Sequence, residues 1–368
     1  MAEVLQLYNV FGAATERTMF EVPSALAQRG HRMTWAAESV DTDPESIGVV
    51  HDLPRIAVRP GDDAAVEAEL QAVARREPAV PGRFDLVHGH FGPRLLHALP
   101  HLARGTPAVV SCYGYDTSRL LRDPAWATRY RVFAERGGRF VALSDDMRRR
   151  LTACGVPASS VDVIPLGIDP DAWTFDPAET RERRLLFVGR FVEKKGLDTL
   201  LHAWAELCRD PAFDDAGLDV VGGGDAGPAT LAERLAIAQR VRFRGVMPYE
   251  ELGDVMRSAW ALVAPSCTAA DGDAEGCPMV LMQAQAVGTP VVTTAHAGNP
   301  EALPPEAQGF VVPERDAGAL AEAMRKILSL DVASLHTLRA AGRAWIERRF
   351  DLRRTTDAYD RLYRKRSG

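Results

Sequence analysis

Short apolar runs alternating with helix-length amphipathic stretches constrain this chain more than any other feature. Val4–Tyr8, Arg32–Ala36, Asp85–His88, Ala108–Cys112, Phe140–Leu143 and Val161–Ile164 read as buried strands. Helical segments fall between them, over Glu16–Arg29, Asp63–Arg76, Pro93–Arg104, Pro124–Arg136 and Asp145–Cys154. This is the βαβ rhythm of a doubly wound parallel sheet. The Pro- and Asp-rich stretch Pro165–Pro177 has no periodicity, and after it the rhythm restarts. The second set of strands is expected at Leu185–Val188, Leu218–Val221, Val241–Phe243, Ala261–Val263, Val291–Thr293 and Phe310–Val312. The expected architecture is α/β, with two Rossmann-like domains at 1–170 and 179–347, a linker at 171–178, and a final helix at 348–368 packing back on the first domain. Two such halves place a ligand cleft between their strand C-termini.

Composition narrows the class. The 368 residues suffice for two cores, and 46% apolar with 26% charged residues suits a soluble globular enzyme. A net charge of −6 argues against broad nucleic-acid binding and strong membrane adsorption, leaving at most peripheral membrane contact. No apolar run approaches the roughly 20 residues of a membrane span. The start, Met1 to Tyr8, enters a strand without a signal-peptide pattern, so a cytoplasmic location, with room for contact at the inner membrane face, is expected. Five widely spaced cysteines without C-x-x-C argue against structural zinc or a disulfide framework.

Chemistry concentrates at strand-to-helix loops. The stretch Asp271–Val292 reads as polar loop, helix and buried strand, with Gly276 for close backbone approach, Pro278 in the first helical turn and Gly288 as a stop. Free N–H groups at such a helix start favour phosphate oxygens. Cys277 has no partner motif and reads as a small loop residue, not a nucleophile. Asp271-Gly-Asp273 matches a metal-binding D-x-D pattern but reads as an exposed turn. Of 44 basic residues 40 are Arg, yet Lys194 and Lys195 stand adjacent in the loop Gly189–Gly196. A compact ammonium is chemically distinct from a planar guanidinium, and Arg190 with Lys195 can converge on one anion. In the first half, Gly12 follows the first strand and permits close approach of a phosphate, although no G-x-G-x-x-G is present. His88 and His90 share a strand face; without a third ligand nearby they read as lining an acceptor pocket rather than a metal site. Asp116, in Tyr113-Gly-Tyr-Asp116, can hold a substrate hydroxyl or cap the next helix.

Taken in order, Leu143-Ser-Asp-Asp-Met147, Val163-Ile-Pro-Leu-Gly-Ile-Asp169, Val188-Gly-Arg190 through Lys195-Gly196, Val221-Gly-Gly-Gly224, Val241-Arg-Phe-Arg-Gly245, Ala264-Pro-Ser266, Glu275-Gly-Cys-Pro278, Gly288-Thr-Pro-Val-Val292 and Gly298-Asn-Pro-Glu301 carry a resemblance. The chain resembles the retaining GT-B glycosyltransferases of sequence family 4 across nearly its whole length. The resemblance implies a nucleotide-diphosphate-sugar donor bound mainly on the second domain, and a sugar, lipid-linked or small-molecule acceptor. It implies that Arg190 and Lys195 neutralise the diphosphate leaving group and that Glu275 contacts the donor sugar. Gly276, Cys277, Pro278, Met279 and Val280 would supply backbone contacts, Val246 would line the base, and Gly12 would let the first domain approach the diphosphate. His88, His90, Tyr113 and Asp116 fall on the acceptor side. Neither a metal nor another cofactor is implied, and front-face transfer needs no protein nucleophile.

Two positions depart from the family pattern. Gln283 stands where the family places a second Glu that binds the nucleotide ribose, and an amide accepts through its oxygen without a charge. Tyr113 stands where many relatives carry His. The alternative is a catalytically silent member that binds sugar nucleotide or scaffolds a biosynthetic complex. Retention of Arg190, Lys195 and Glu275 argues against it.

Overall fold

The structure, a computed structural model, describes residues 1–11, 18–41, 50–176 and 181–367. The chain divides into two compact units, Met1–Gly167 with Leu352–Gly368, and Ile168–Asp351. Each is built on one parallel sheet.

In the first unit the strands are β1 (Glu3–Phe11), β2 (Arg32–Val40), β3 (Val50–Asp52), β4 (Leu86–His90), β5 (Ala108–Ser111), β6 (Arg139–Ala142) and β7 (Val161–Val163), ordered β3-β2-β1-β4-β5-β6-β7. The helices are α1 (Thr18–Gln28), α2 (Asp63–Ala74), α3 (Leu95–Leu102), α4 (Pro124–Glu135) and α5 (Asp145–Ala153). The second unit carries β8 (Arg184–Val188), β9 (Gly217–Val221), β10 (Val241–Gly245), β11 (Ala261–Ala264), β12 (Val291–Thr294) and β13 (Val311–Val312), ordered β10-β9-β8-β11-β12-β13. Its helices are α6 (Leu197–Leu207), α7 (Gly227–Arg234), α8 (Leu252–Ser258), α9 (Met279–Ala286), α10 (Ala317–Leu328) and α11 (Val332–Arg349); a last helix, α12 (Leu352–Ser367), belongs to the first unit. Both sheets run outward from their first strand in two directions, so each has a switch point: β1/β4 in one, β8/β11 in the other.

The central strands are apolar because helices cover both faces. Leu185, Phe187, Leu218, Val220, Ala261 and Val263 meet Leu200, Leu201, Trp204, Leu320 and Met324 in the second core. The three-residue edge strand β3, with no fully buried side chain, leaves no apolar run in the sequence and was not expected there. The helix expected over Pro93–Arg104 opens as a single 3-10 turn, Gly92–Arg94. Residues 168–176 of the Pro- and Asp-rich stretch expected as a linker belong to the second unit. Arg343 on α11 donates to the Pro170, Trp173 and Ala286 carbonyls, and Arg339 donates to those of Asp176 and Gly288.

The first unit closes through α12. Tyr359, Leu362 and Tyr363 pack against Val4, Val22, Leu26, Leu86 and Val109. Under them lies a polar network. The Tyr363 hydroxyl is 2.6 Å from His88 Nδ1 and accepts from Gln6 Nε2 at 3.1 Å. His88 Nε2 lies 2.8 Å from Ser111 Oγ, and His90 Nε2 lies 2.9 Å from Gln6 Oε1. Burial pushes the His88 imidazole down to about 3 and the His90 imidazole well below its ordinary value, so both are neutral near neutral pH. The two histidines do share one strand face, as their spacing required, but Tyr359 and Tyr363 of α12 cover His88, and His90 stacks on Tyr8. Their exposure is 1% and 2%, so they are buried framework residues, a correction to the pocket-lining expectation.

Removing the Tyr363 hydroxyl leaves Gln6 and His88 short of a buried partner. Tyr363→Phe is expected to lower stability by about 1–3 kcal/mol, read by denaturant titration, while a surface change such as Arg364→Ala stays within about 0.5 kcal/mol.

Candidate functional site

The best-developed constellation in the second unit sits at its switch point, on the loops leaving β8 and β11. After β8 the chain runs Gly189-Arg190 into a 3-10 turn, Glu193–Lys195, and then α6. Gly196 joins the turn to the helix with φ +68°, and a Cβ there would lie 1.9 Å from the Pro265 carbonyl oxygen. Only glycine fits, both for its backbone and for its approach to the β11 loop.

Each residue of the turn reaches that second loop. Glu193 Oε2 accepts from the Ala270 N–H at 2.9 Å, Lys194 Nζ lies 2.9 Å from Asp273 Oδ2, and Lys195 Nζ lies 2.7 Å from Glu275 Oε1. The Cys267 N–H donates to the Lys194 carbonyl at 2.9 Å. The Lys195–Glu275 contact is an ion pair. The side chains are 19% and 10% exposed. Burial alone would raise the Glu275 carboxyl; the Lys195 ammonium, then that of Lys194, outweighs it and holds the group below its ordinary value. The carboxylates that resemble a metal motif therefore face ammonium groups or main chain: Asp273 meets Lys194, and Asp271 accepts the Asp273 N–H at 2.9 Å.

Arg190 is exposed and has no ion-pair partner among the described residues. Gly276, Cys277 and Pro278 are buried, with Met279 and Val280 partly so. Pro278 is the cap, one position earlier than expected, and no side chain caps the first turn of α9. The Leu281 N–H donates to the Pro278 carbonyl at 3.1 Å, and among the described residues the N–H groups of Met279 and Val280 have no partner. Burial, then Glu301 and Glu275, pushes the Cys277 thiol up to about 12, consistent with an inert loop residue. Gln283 is buried and donates to the Tyr249 hydroxyl at 3.2 Å. Val246, following β10, is 80% exposed. Gly12 lies outside the described residues.

Two partners of this site had no signal that singled them out in the sequence. His296, fully buried, accepts the Glu275 N–H on Nε2 at 3.0 Å, and its Nδ1 lies 2.7 Å from Glu314 Oε1. Both belong to loops after strands of the same sheet, where a ligand-facing role is the rule.

In the first unit, Tyr113 is partly exposed and its hydroxyl lies 2.7 Å from His90 Nδ1. Asp116 corrects the acceptor-side reading. It is fully buried, and its oxygens accept from the N–H groups of Tyr113, Gly114 and Gly92 at 2.9, 3.0 and 3.0 Å. Burial pushes its carboxyl up against those three donors, and the side chain stitches two loops together instead of facing a ligand. Nor does it cap the helix that follows, since the 3-10 turn Arg119–Arg122 has no side-chain cap and Asp123 caps α4.

The sign of the Glu275 shift fixes a pH dependence. A depressed carboxyl contributes stability that is complete above its ordinary value of 4.5 and is lost as pH falls through the lower folded value. The stability difference between the wild type and Glu275→Gln should therefore be constant from neutral pH to about 4.5 and shrink below it, by denaturant titration at each pH.

Comparison with known proteins shows the family. The glycosyl transferases group 1 model matches residues 171–345, and the Glycosyltransferase Family 4 model matches 15–172. The amylovoran biosynthesis glycosyltransferase AmsK of Erwinia amylovora is 34% identical over 286 residues, covering 76% of this chain and 69% of its own. The D-inositol 3-phosphate glycosyltransferase of Geodermatophilus obscurus is 30% identical over 375 residues, covering 90% and 81%. The structure of Anabaena Alr3699/HepE in complex with UDP and glucose is similar in fold, with TM-score 0.74 over 99% of this chain and all of that one, at 16% identity. Two Rossmann-like sheets, the ordered loops and these relatives lead to one conclusion: the chain belongs to the group 1, family 4 glycosyltransferases of GT-B fold.

Proposed function

We propose that this protein transfers a sugar from a nucleotide-diphosphate donor to a hydroxyl acceptor, with retention of anomeric configuration and without a metal ion. The observation that carries the reading is the Lys195–Glu275 pair at the β8/β11 switch point, beside the uncapped start of α9. A diphosphate leaving group gains charge as the glycosidic bond breaks, and preformed positive groups stabilise that charge most effectively where water is scarce. Lys195 and exposed Arg190 supply it, and the N–H groups near Met279 and Val280 add to it. Glu275 accepts donor-sugar hydroxyls, while Lys195 keeps it ionised. Attack on the sugar face from which the diphosphate departs accounts for retention, and no protein nucleophile takes part.

The relatives' names support a role in polysaccharide, glycoconjugate or secondary-metabolite assembly; AmsK is named for amylovoran biosynthesis, and HepE was solved with UDP and glucose. Among the described residues no helix is long and apolar enough to cross a membrane. A cytoplasmic enzyme acting on a soluble or peripherally presented acceptor fits this reading.

Lys195→Ala and Glu275→Ala should each lower transfer about 100-fold or more, measured as nucleoside diphosphate release across a panel of sugar nucleotides, with melting curves confirming the fold. Wild-type turnover in both variants would remove the assignment, and nucleotide binding without turnover in the wild type would favour a silent binder.

Gln283→Glu replaces an amide donor with a carboxylate that accepts from the Tyr249 hydroxyl. It should keep the fold and the activity and change nucleotide affinity, read by calorimetry; unfolding would show that the amide is structural.

A further inference from the structure

A closed circuit of side chains surrounds the Glu275 loop. Lys195 grips the carboxylate of Glu275, and His296 Nε2 accepts its N–H. An imidazole nitrogen that accepts has no proton, so the ring proton sits on Nδ1 and is donated to Glu314 Oε1. Glu314 Oε2 accepts the Thr268 N–H at 2.8 Å, at the other end of the same loop. The neighbouring Arg315 closes the circuit by donating to the Thr268 carbonyl and to Glu193 Oε1, at 2.5 and 2.7 Å. Glu193 adjoins the two lysines.

The backbone shows what this arrangement demands. Four non-glycine residues among those described have positive φ, and two of them flank the pair: Ala297 at 46°, next to His296, and Arg315 at 59°, next to Glu314. A side chain in this region is disfavoured, so surrounding contacts must hold both turns.

We infer that Glu314 and His296 form a positioning pair, in which the carboxylate fixes the imidazole tautomer and the imidazole fixes the main chain at Glu275 ahead of α9. This rests on the reading of Glu275 as a donor-side carboxylate. Neither residue touches the reacting atoms. Their effect falls on where the Glu275 carboxylate and the following N–H groups sit, and a displacement of about 1 Å at such a position can cost roughly 100-fold in rate.

The test separates the pair from the function. His296→Leu removes the acceptor, whereas His296→Gln can restore it, because the glutamine Oε1 reaches close to the place of Nε2. Glu314→Ala, at a partly exposed site, leaves His296 in place without its tautomer partner and carries the test if the Leu variant fails to fold. Hydrogen exchange of the peptide bearing Glu275 to Val280 is read beside that of the β8 and β9 peptides, together with kcat and donor KM. The Leu and Ala variants should exchange faster in the Glu275 peptide alone, and kcat should fall roughly 10- to 100-fold with a smaller change in KM. The Gln variant should return both readouts toward wild type. Unchanged exchange in that peptide, or a Gln variant as impaired as Leu in both readouts, would overturn the pairing. If the wild type shows no turnover but the exchange pattern holds, the transferase reading fails and the pairing stands.

Discussion

Glu275 and Lys195 lie 2.7 Å apart with most of their surface out of water, and the carboxylate stays ionised against its burial through Lys195 and then Lys194. Breaking such a pair by deleting one partner typically costs about 3–5 kcal/mol, although the intact pair adds little net stability over an apolar one. The arrangement is therefore weak as packing and well prepared for binding an anion. In the proposed function, an incoming phosphate would meet an ammonium already desolvated and already aimed, and the carboxylate would turn to hydroxyl groups. The Lys194–Asp273 pair, the Glu193 carboxylate and the Gly196 contact with Pro265 keep the two loops in register while this exchange takes place.

The switch point explains why these loops meet. β8 and β11 are neighbours whose following helices pack on opposite faces, so their loops diverge and leave room between them. Loops leaving β12 and β13 enclose the same space from one side and bring His296 and Glu314 with them. Charge is thereby collected from four separate stretches of sequence at the edge of one sheet.

Much of this is legible in the order of the amino acids alone. Buried parallel strands announce themselves as apolar runs, and the loops at their ends can be marked from Gly, Lys and Glu. Lys195 and Glu275 can be nominated from their motifs, but not their contact, which joins two distant loops. Lys194–Asp273 and His296–Glu314 are invisible to local pattern for the same reason. His88 and His90 show the opposite failure: the two-residue period places them correctly on one face and cannot say that a helix 275 positions later covers His88 or that Tyr8 stacks on His90. Asp116 is ambiguous because a short acid after a glycine can serve a ligand or a turn, and only the three N–H groups around it decide. Edge strand β3 has too few buried residues to leave a period.

The return of α12 to the first unit has a consequence for how the molecule is made. Translation delivers residues 1–167, then the whole of the second unit, and only then the helix that completes the hydrogen bonds of Gln6 and His88. A nascent first sheet must wait on the ribosome with a polar seam open to water. The intervening unit, continuous in sequence, is free to fold ahead of it. The order of birth and the order of completion are thus reversed, and the 16 residues of α12 act as the latch on the first strand.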